Sequence, residues 1–162
     1  MRNLLRALLL AGAACGPCTA IADDAAAHPA CDFLVRPDEI SAYSGHSWRS
    51  APGIRLNGDV AVCAYYQDEV PGGLSLSVHE DPEQHEFRNA REYYTHVQDA
   101  DDVHAKAFYF RLASTAPFEP AWGMVLHAGN RTYRVEGVPE AGDAARARTT
   151  AREILQRTVK VF

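Results

Sequence analysis

The sequence predicts an α+β domain on an antiparallel sheet, its elements ordered helix, three strands, helix, three strands, helix. Three observations carry this expectation. The apolar period switches between two and about 3.6 along the chain. Gly129-Asn130 separates two alternating runs whose apolar residues then meet on one face. Of the four cysteines, Cys31 stands before the first helix and Cys63 within a strand that follows it.

The first helix starts near Arg36. Pro37 suits a first helical position, Asp38 and Glu39 complement the positive end of the helix dipole, and Gly45 suits the residue beyond the last turn. Residues 46–56 offer a strand interrupted by Pro52 and Gly53. Val60, Val62, Ala64 and Tyr66 then alternate on one face, with Cys63 on the other. Pro71-Gly72-Gly73 makes a turn into a strand in which Leu74, Leu76 and Val78 alternate with Ser75, Ser77 and His79.

From Asp81-Pro82 the pattern becomes helical, with Asp81 as N-cap and Phe87, Ala90, Tyr94 and Val97 on one face. The acidic run Asp99-Ala100-Asp101-Asp102 ends it. A strand follows over Val103 to Leu112, then a proline-marked loop at 116–120. In the hairpin around Gly129-Asn130, Leu126 opposes Tyr133, Met124 opposes Val135, and Trp122 opposes Gly137. The other face pairs Val125 with Arg134 and His127 with Thr132. Asp143 caps a closing helix with Ala144, Ala147, Ala151, Ile154, Leu155 and Thr158 inward, and Arg146, Arg148, Arg152 and Arg157 outward. Helices are expected on one face or at the edges of the sheet.

The chain opens with a basic stretch containing Arg2 and Arg6, an apolar run over Ala7 to Ala14, and Ala20-Ile21-Ala22. That is the pattern of a secretory signal peptide, residues 1–22, cleaved before Asp23. The apolar run is too short to cross a bilayer. Cys15 sits where a lipoprotein carries its lipid, but Gly12 replaces the aliphatic residue that such a signal places three positions earlier. Residues 23–30 read as a mobile lead-in, and residues 31–162 as one domain.

Without the leader, which holds two arginines and no acid, 14 basic and 21 acidic side chains remain, a net charge of −7 with histidines neutral. An acidic domain is repelled by phosphate backbones, so nucleic acid is not an expected partner. Cys15 and Cys18 leave with the signal. In an oxidising compartment the remaining Cys31 and Cys63 form a structural disulfide.

Cys31-Asp32-Phe33-Leu34, the short helix closed by Gly45, and Cys63-Ala64-Tyr65 resemble a family of small secreted bacterial lipoproteins of unknown function. That family is similar to the extracellular sensor domains of some mycobacterial receptor kinases. The stretch Trp122 to Val138 and the Ala-rich helix after it share the likeness, which spans residues 31–159. Pro117-Phe118-Glu119-Pro120 stands where the family has a glycine-rich turn, and no lipobox is present. The resemblance implies a disulfide-bridged α+β envelope domain and brings no catalytic residue with it.

No catalytic constellation or cofactor motif emerges. His79-Glu80-Asp81-Pro82-Glu83-Gln84-His85 lacks the one-turn spacing of a zinc-protease helix. His85, Glu92 and His96 share one stripe of the expected helix and form the weak candidate for a metal site; a solvated helix face is the plainer account. Asp99, Asp101 and Asp102 lack the glycine and glutamate of a calcium loop. Gly45-His46-Ser47-Trp48-Arg49 lacks the second glycine of a nucleophile elbow. Trp48, His79, His127 and Arg134 remain as candidate binding residues, with Trp122 assigned to the core. The resulting expectation is a periplasmic or secreted, non-enzymatic binding domain for a protein or small envelope ligand, in one form an inhibitor or immunity protein. A metal-assisted periplasmic hydrolase is the alternative.

Overall fold

The computed structural model describes residues 31, 34–51, 54–56, 60–67, 73–103, 105–113 and 119–162, with 54–56 and 60 as backbone alone. The signal peptide, Cys15, Cys18, the lead-in, and the turn residues Pro52, Gly53, Pro71 and Gly72 lie outside the described residues. The fold is α+β. Helix α1 (Pro37–Ser44) precedes strands β1 (Arg49–Ser50), β2 (Ile54–Leu56), β3 (Val60–Tyr66) and β4 (Gly73–Glu80). Helix α2 (His85–Tyr93) leads to β5 (Gln98–Asp99), β6 (Lys106–Leu112), β7 (Ala121–Ala128) and β8 (Arg131–Pro139), and α3 (Ala144–Val159) closes the domain.

All pairings are antiparallel, in the order β1-β3-β4-β8-β7-β6-β5, with β2 also on β3. The strand expected over 46–56 is therefore two short strands sharing the edge of β3. The start of the acidic run adds β5, because Gln98 and Asp99 pair with Tyr109 and Phe108.

The helices occupy both faces, which differs from the expectation of one face or the edges. On one face α1 and α3 cover the main core, which includes Ile40, Tyr65, Leu76, Met124, Val135, Ile154 and Leu155. On the other, α2 brings Phe87 and Ala90 onto Phe108, Phe110 and Val125. Strand β7 is thus buried on both sides, as its run of six buried residues requires.

Local chemistry explains the helix ends. The Arg36 backbone N–H donates to Glu39 Oε2 at 2.9 Å, and Gly45 closes α1 at φ 78°. Asp143 caps α3 by accepting from the Arg146 N–H at 2.9 Å. The arginines expected outward on α3 reach sideways instead: Arg157 to Glu39 and Arg152 to Asp102, while Arg148 lies over the Trp122 ring.

Three expectations change. On β3 the core face is Ala61, Cys63 and Tyr65, while Val62 and Ala64 are half-buried and Tyr66 is exposed on the α2 side. Helix α2 begins at His85 after a Gln84 in left-handed backbone (φ 61°) and ends at Tyr93. Asp81 is not its first cap, but its carboxylate still reaches the helix start and accepts the Phe87 N–H at 3.1 Å. Finally, Trp122 faces Val138 rather than Gly137.

That last difference is a β-bulge. Between Met124–Val135 and Trp122–Val138, strand β8 spends one residue more than β7. Gly137 takes it up at φ 83°, and a Cβ there would stand 2.1 Å from the Gly73 carbonyl oxygen, so only glycine fits.

Cys31 and Cys63 form a disulfide with 5.6 Å between Cα atoms and a sequence separation of 32. It ties the chain entering α1 to the core face of β3. Beside it the Tyr65 hydroxyl donates to the Val35 carbonyl at 2.8 Å.

Candidate functional site

Helix α2 covers β6 and β7, and β8 and β4 continue the same face beside it. Because paired residues share a face, β4 lines this region with Ser75, Ser77 and His79, and β8 with Thr132, Arg134 and Glu136. Between helix and strands lies a cleft of about 560 Å³ lined by Glu86, Asn89, Tyr93, Tyr94, Arg134 and Glu136, with Ala90 and Leu112 behind them.

An aromatic cluster builds the floor of this cleft. Gly123 has no side chain because the Phe110 ring takes its place; a Cβ there would meet Phe110 Cζ at 2.1 Å. Tyr94, just past the end of α2, stacks flat on Phe110. Its hydroxyl donates to Glu136 Oε1 in a short hydrogen bond. Arg134 Nε lies 3.5 Å from the same oxygen, and Arg134 Nη1 lies 3.5 Å from the Tyr94 hydroxyl. Glu136 Oε2 receives the Ser75 hydroxyl at 3.5 Å. Burial pushes the Glu136 carboxyl above the ordinary value, and the Ser75 contact offsets this only in part. A half-buried carboxylate in an open cleft, beside a guanidinium and a phenol, is the arrangement that marks a site.

A second polar row borders the cleft. The Thr132 hydroxyl donates to Asp81 Oδ2 at 2.7 Å and lies 3.1 Å from His127 Nδ1. For Asp81, burial raises the carboxyl, but the Thr132 hydroxyl and the N–H groups of Phe87, Glu86 and His85 outweigh it, and the net direction is down. His79 on β4 is the cross-strand partner of Thr132 on β8. Its Nε2 is buried without a hydrogen-bond partner among the described residues. Burial first, then the Arg134 charge, lower its pKa against the pull of Glu86 and Asp81.

Of the binding candidates, Arg134 lies in the cleft and His79 stands beside it. Trp48 is buried, and its indole N–H donates to Ser44 Oγ at 2.8 Å, so it anchors the end of α1 rather than a partner. His127 does not project from an open polar face: it is buried under α2, its ring 6.1 Å from that of Phe87. Trp122 is in the core as expected.

The metal candidates are not brought together. Helix α2 ends before His96, which is in left-handed backbone at φ 55°, so Glu92 and His96 are not one helical turn apart. His85 lies between Glu83 at 2.8 Å and Arg88 at 3.0 Å. The acidic run is spent on cations: Asp99 pairs with Arg91 at 2.7 Å, and Asp102 with Arg152. Burial, then Asp102, push the Tyr109 hydroxyl up to about 12. Among the described residues no group of three or more His, Cys, Asp or Glu is placed to hold a metal ion.

Glu136, Tyr94, Tyr93, Glu86 and Asn89 escaped the sequence reading. Alternation along β8, which puts Glu136 on the face of Thr132 and Arg134, was the one available signal.

The chain matches no protein-family model, no curated protein and no solved structure.

Proposed function

We propose that this protein is an exported, non-enzymatic binding domain of a bacterial-type cell envelope, which holds a protein partner at the cleft between α2 and β8. The signal-peptide pattern of residues 1–22 supports the location, and the Cys31–Cys63 disulfide agrees with an oxidising compartment. No helix among the described residues is long and apolar enough to cross a membrane.

The observation that carries the reading is the Tyr94–Glu136–Arg134 group. Its members come from the end of α2 and from β8, and they converge on an open cleft instead of being sealed in the core. An inhibitor or immunity protein for a secreted enzyme is the concrete form that suits a small acidic domain. A metal-assisted hydrolase draws no support from His85, Glu92 and His96, which the fold does not gather.

The test is photo-crosslinking in the producing cell. p-Benzoylphenylalanine placed at Asn89, on the cleft, should give one discrete protein adduct, and the same probe at Lys160, an exposed residue just past α3, should give none. Adducts from both positions, or from neither, would reject the cleft as the docking site.

A further inference from the structure

We infer that the group entering this cleft is a cation, the lysine or arginine side chain of a basic partner surface, held between the Tyr93 ring and the Glu86 carboxylate above Glu136. This rests on the cleft being the docking site and goes on to name the chemistry it selects.

The charges point this way. The cleft is lined by two carboxylates and one guanidinium, and Arg134 is already engaged with Glu136 and the Tyr94 hydroxyl. Glu86 is the unmatched charge: it is exposed and makes no ion pair among the described residues. Of the basic side chains on the same helix, His85 is taken by Glu83 and Arg91 by Asp99. An anion entering here would meet two carboxylates and a guanidinium already in use.

The aromatic surface points the same way. Tyr93 is 80% exposed, the most open large apolar side chain among the described residues. Its ring meets Tyr94 edge to face, with centroids 5.2 Å apart at 81°, so it extends a stack that begins on Phe110 in the core. A tyrosine face beside an unpaired carboxylate attracts ammonium and guanidinium groups. Arg134 shows that the cleft accepts such a group, since its own guanidinium rests against a phenol and a carboxylate. The net charge of −5 adds long-range steering toward a basic surface.

The experiment is titration of isotope-labelled protein, followed by backbone amide NMR, with three probes: tetra-arginine, tetra-glutamate and chitotetraose. Tetra-arginine should shift the amides of Glu86, Asn89 and Tyr93 along a saturable curve. Glu86→Gln, an exposed and conservative change, should weaken that binding about threefold or more. Raising sodium chloride from about 0.05 to about 0.5 M should weaken it likewise. The inference is overturned if tetra-arginine leaves these amides unmoved, if Glu86→Gln binds it equally well, or if either other probe saturates the cleft in its place. Should the peptide fail while the Asn89 crosslinker still captures its partner, the ligand chemistry falls and the docking site stands. Should both fail, the two readings fall together.

Discussion

The ring of Tyr94 lies on the ring of Phe110 with 3.7 Å between centroids and 11° between planes, and this one contact sets the position of the cleft floor. Phe110 can lie flat there because its partner across the sheet is Gly123. Tyr94 is held by Phe110, and Glu136 by the Tyr94 hydroxyl, so a glycine in the middle of β7 determines where a carboxylate on β8 can rest.

Gly123→Ala should therefore act at a distance. The new methyl displaces the Phe110 ring, which costs about 1–3 kcal/mol as overpacking. It should also release Tyr94, whose ring protons lose the shielding of a stacked neighbour. Urea unfolding and the aromatic NMR spectrum read the two effects. A wild-type midpoint with unmoved Tyr94 resonances would show that the stack does not depend on Gly123.

Asp81 should matter more than its place in a turn suggests. Asp81→Ala removes the acceptor for the Phe87 N–H and the Thr132 hydroxyl in a buried setting, at a cost of about 2–3 kcal/mol near neutral pH. Its carboxyl is lowered in the folded protein, so its stabilisation is present above the unfolded-state value and is lost as pH falls through the folded one. Thermal melts at about pH 7 and about pH 3 should show the gap between variant and wild type closing in acid. An equal gap at both would contradict the assignment.

Glu136 should give the opposite slope. Its carboxyl is raised by burial, so the folded state holds the proton more tightly than the unfolded chain does. Stability from this group is complete below the unfolded-state value and is lost as pH rises through the folded one. Glu136→Gln should consequently gain on the wild type as pH climbs through the carboxylate range. Denaturant midpoints measured across that range decide it; a variant that instead falls behind with rising pH would mean that ionised Glu136 is a net stabiliser.

Replacing both Cys31 and Cys63 by Ala should cost about 3–4 kcal/mol in the chain-entropy account of a 32-residue separation. Reduction of the wild type should reproduce the loss. A reduced protein with an unchanged unfolding midpoint would leave the bridge without a structural role.

Much of this architecture was legible because several local signals agreed. Gly129-Asn130 and the apolar residues on either side chose the same register for β7 and β8, and Asp143 with the inward stripe of α3 chose the same helix. The core face of β3 is not legible from alternation because Val62 and Ala64 are half-buried opposite Cys63 and Tyr65, so both sides of that strand look apolar. The cleft was harder. Arg134 and His79 were visible as polar residues among apolar ones, and alternation places Glu136 on the face of Arg134, but nothing in the strand pattern shows that Tyr94 reaches it. Tyr94 looked like one more apolar position on a helix that in fact stops one residue before it.

The division of the sheet's outer strands bears on how copies of this protein behave together. An open strand edge is a template on which another chain can add itself. Here the free side of β3 is divided between β1 and β2, two and three residues long, which leaves little uninterrupted backbone to copy. At the opposite end β5 takes the middle of β6, and Lys106 and Arg111 place positive charge on either side of it. A domain built around one large sheet is thereby given poor docking ground for its own kind, with its strands kept from fibrillar stacking.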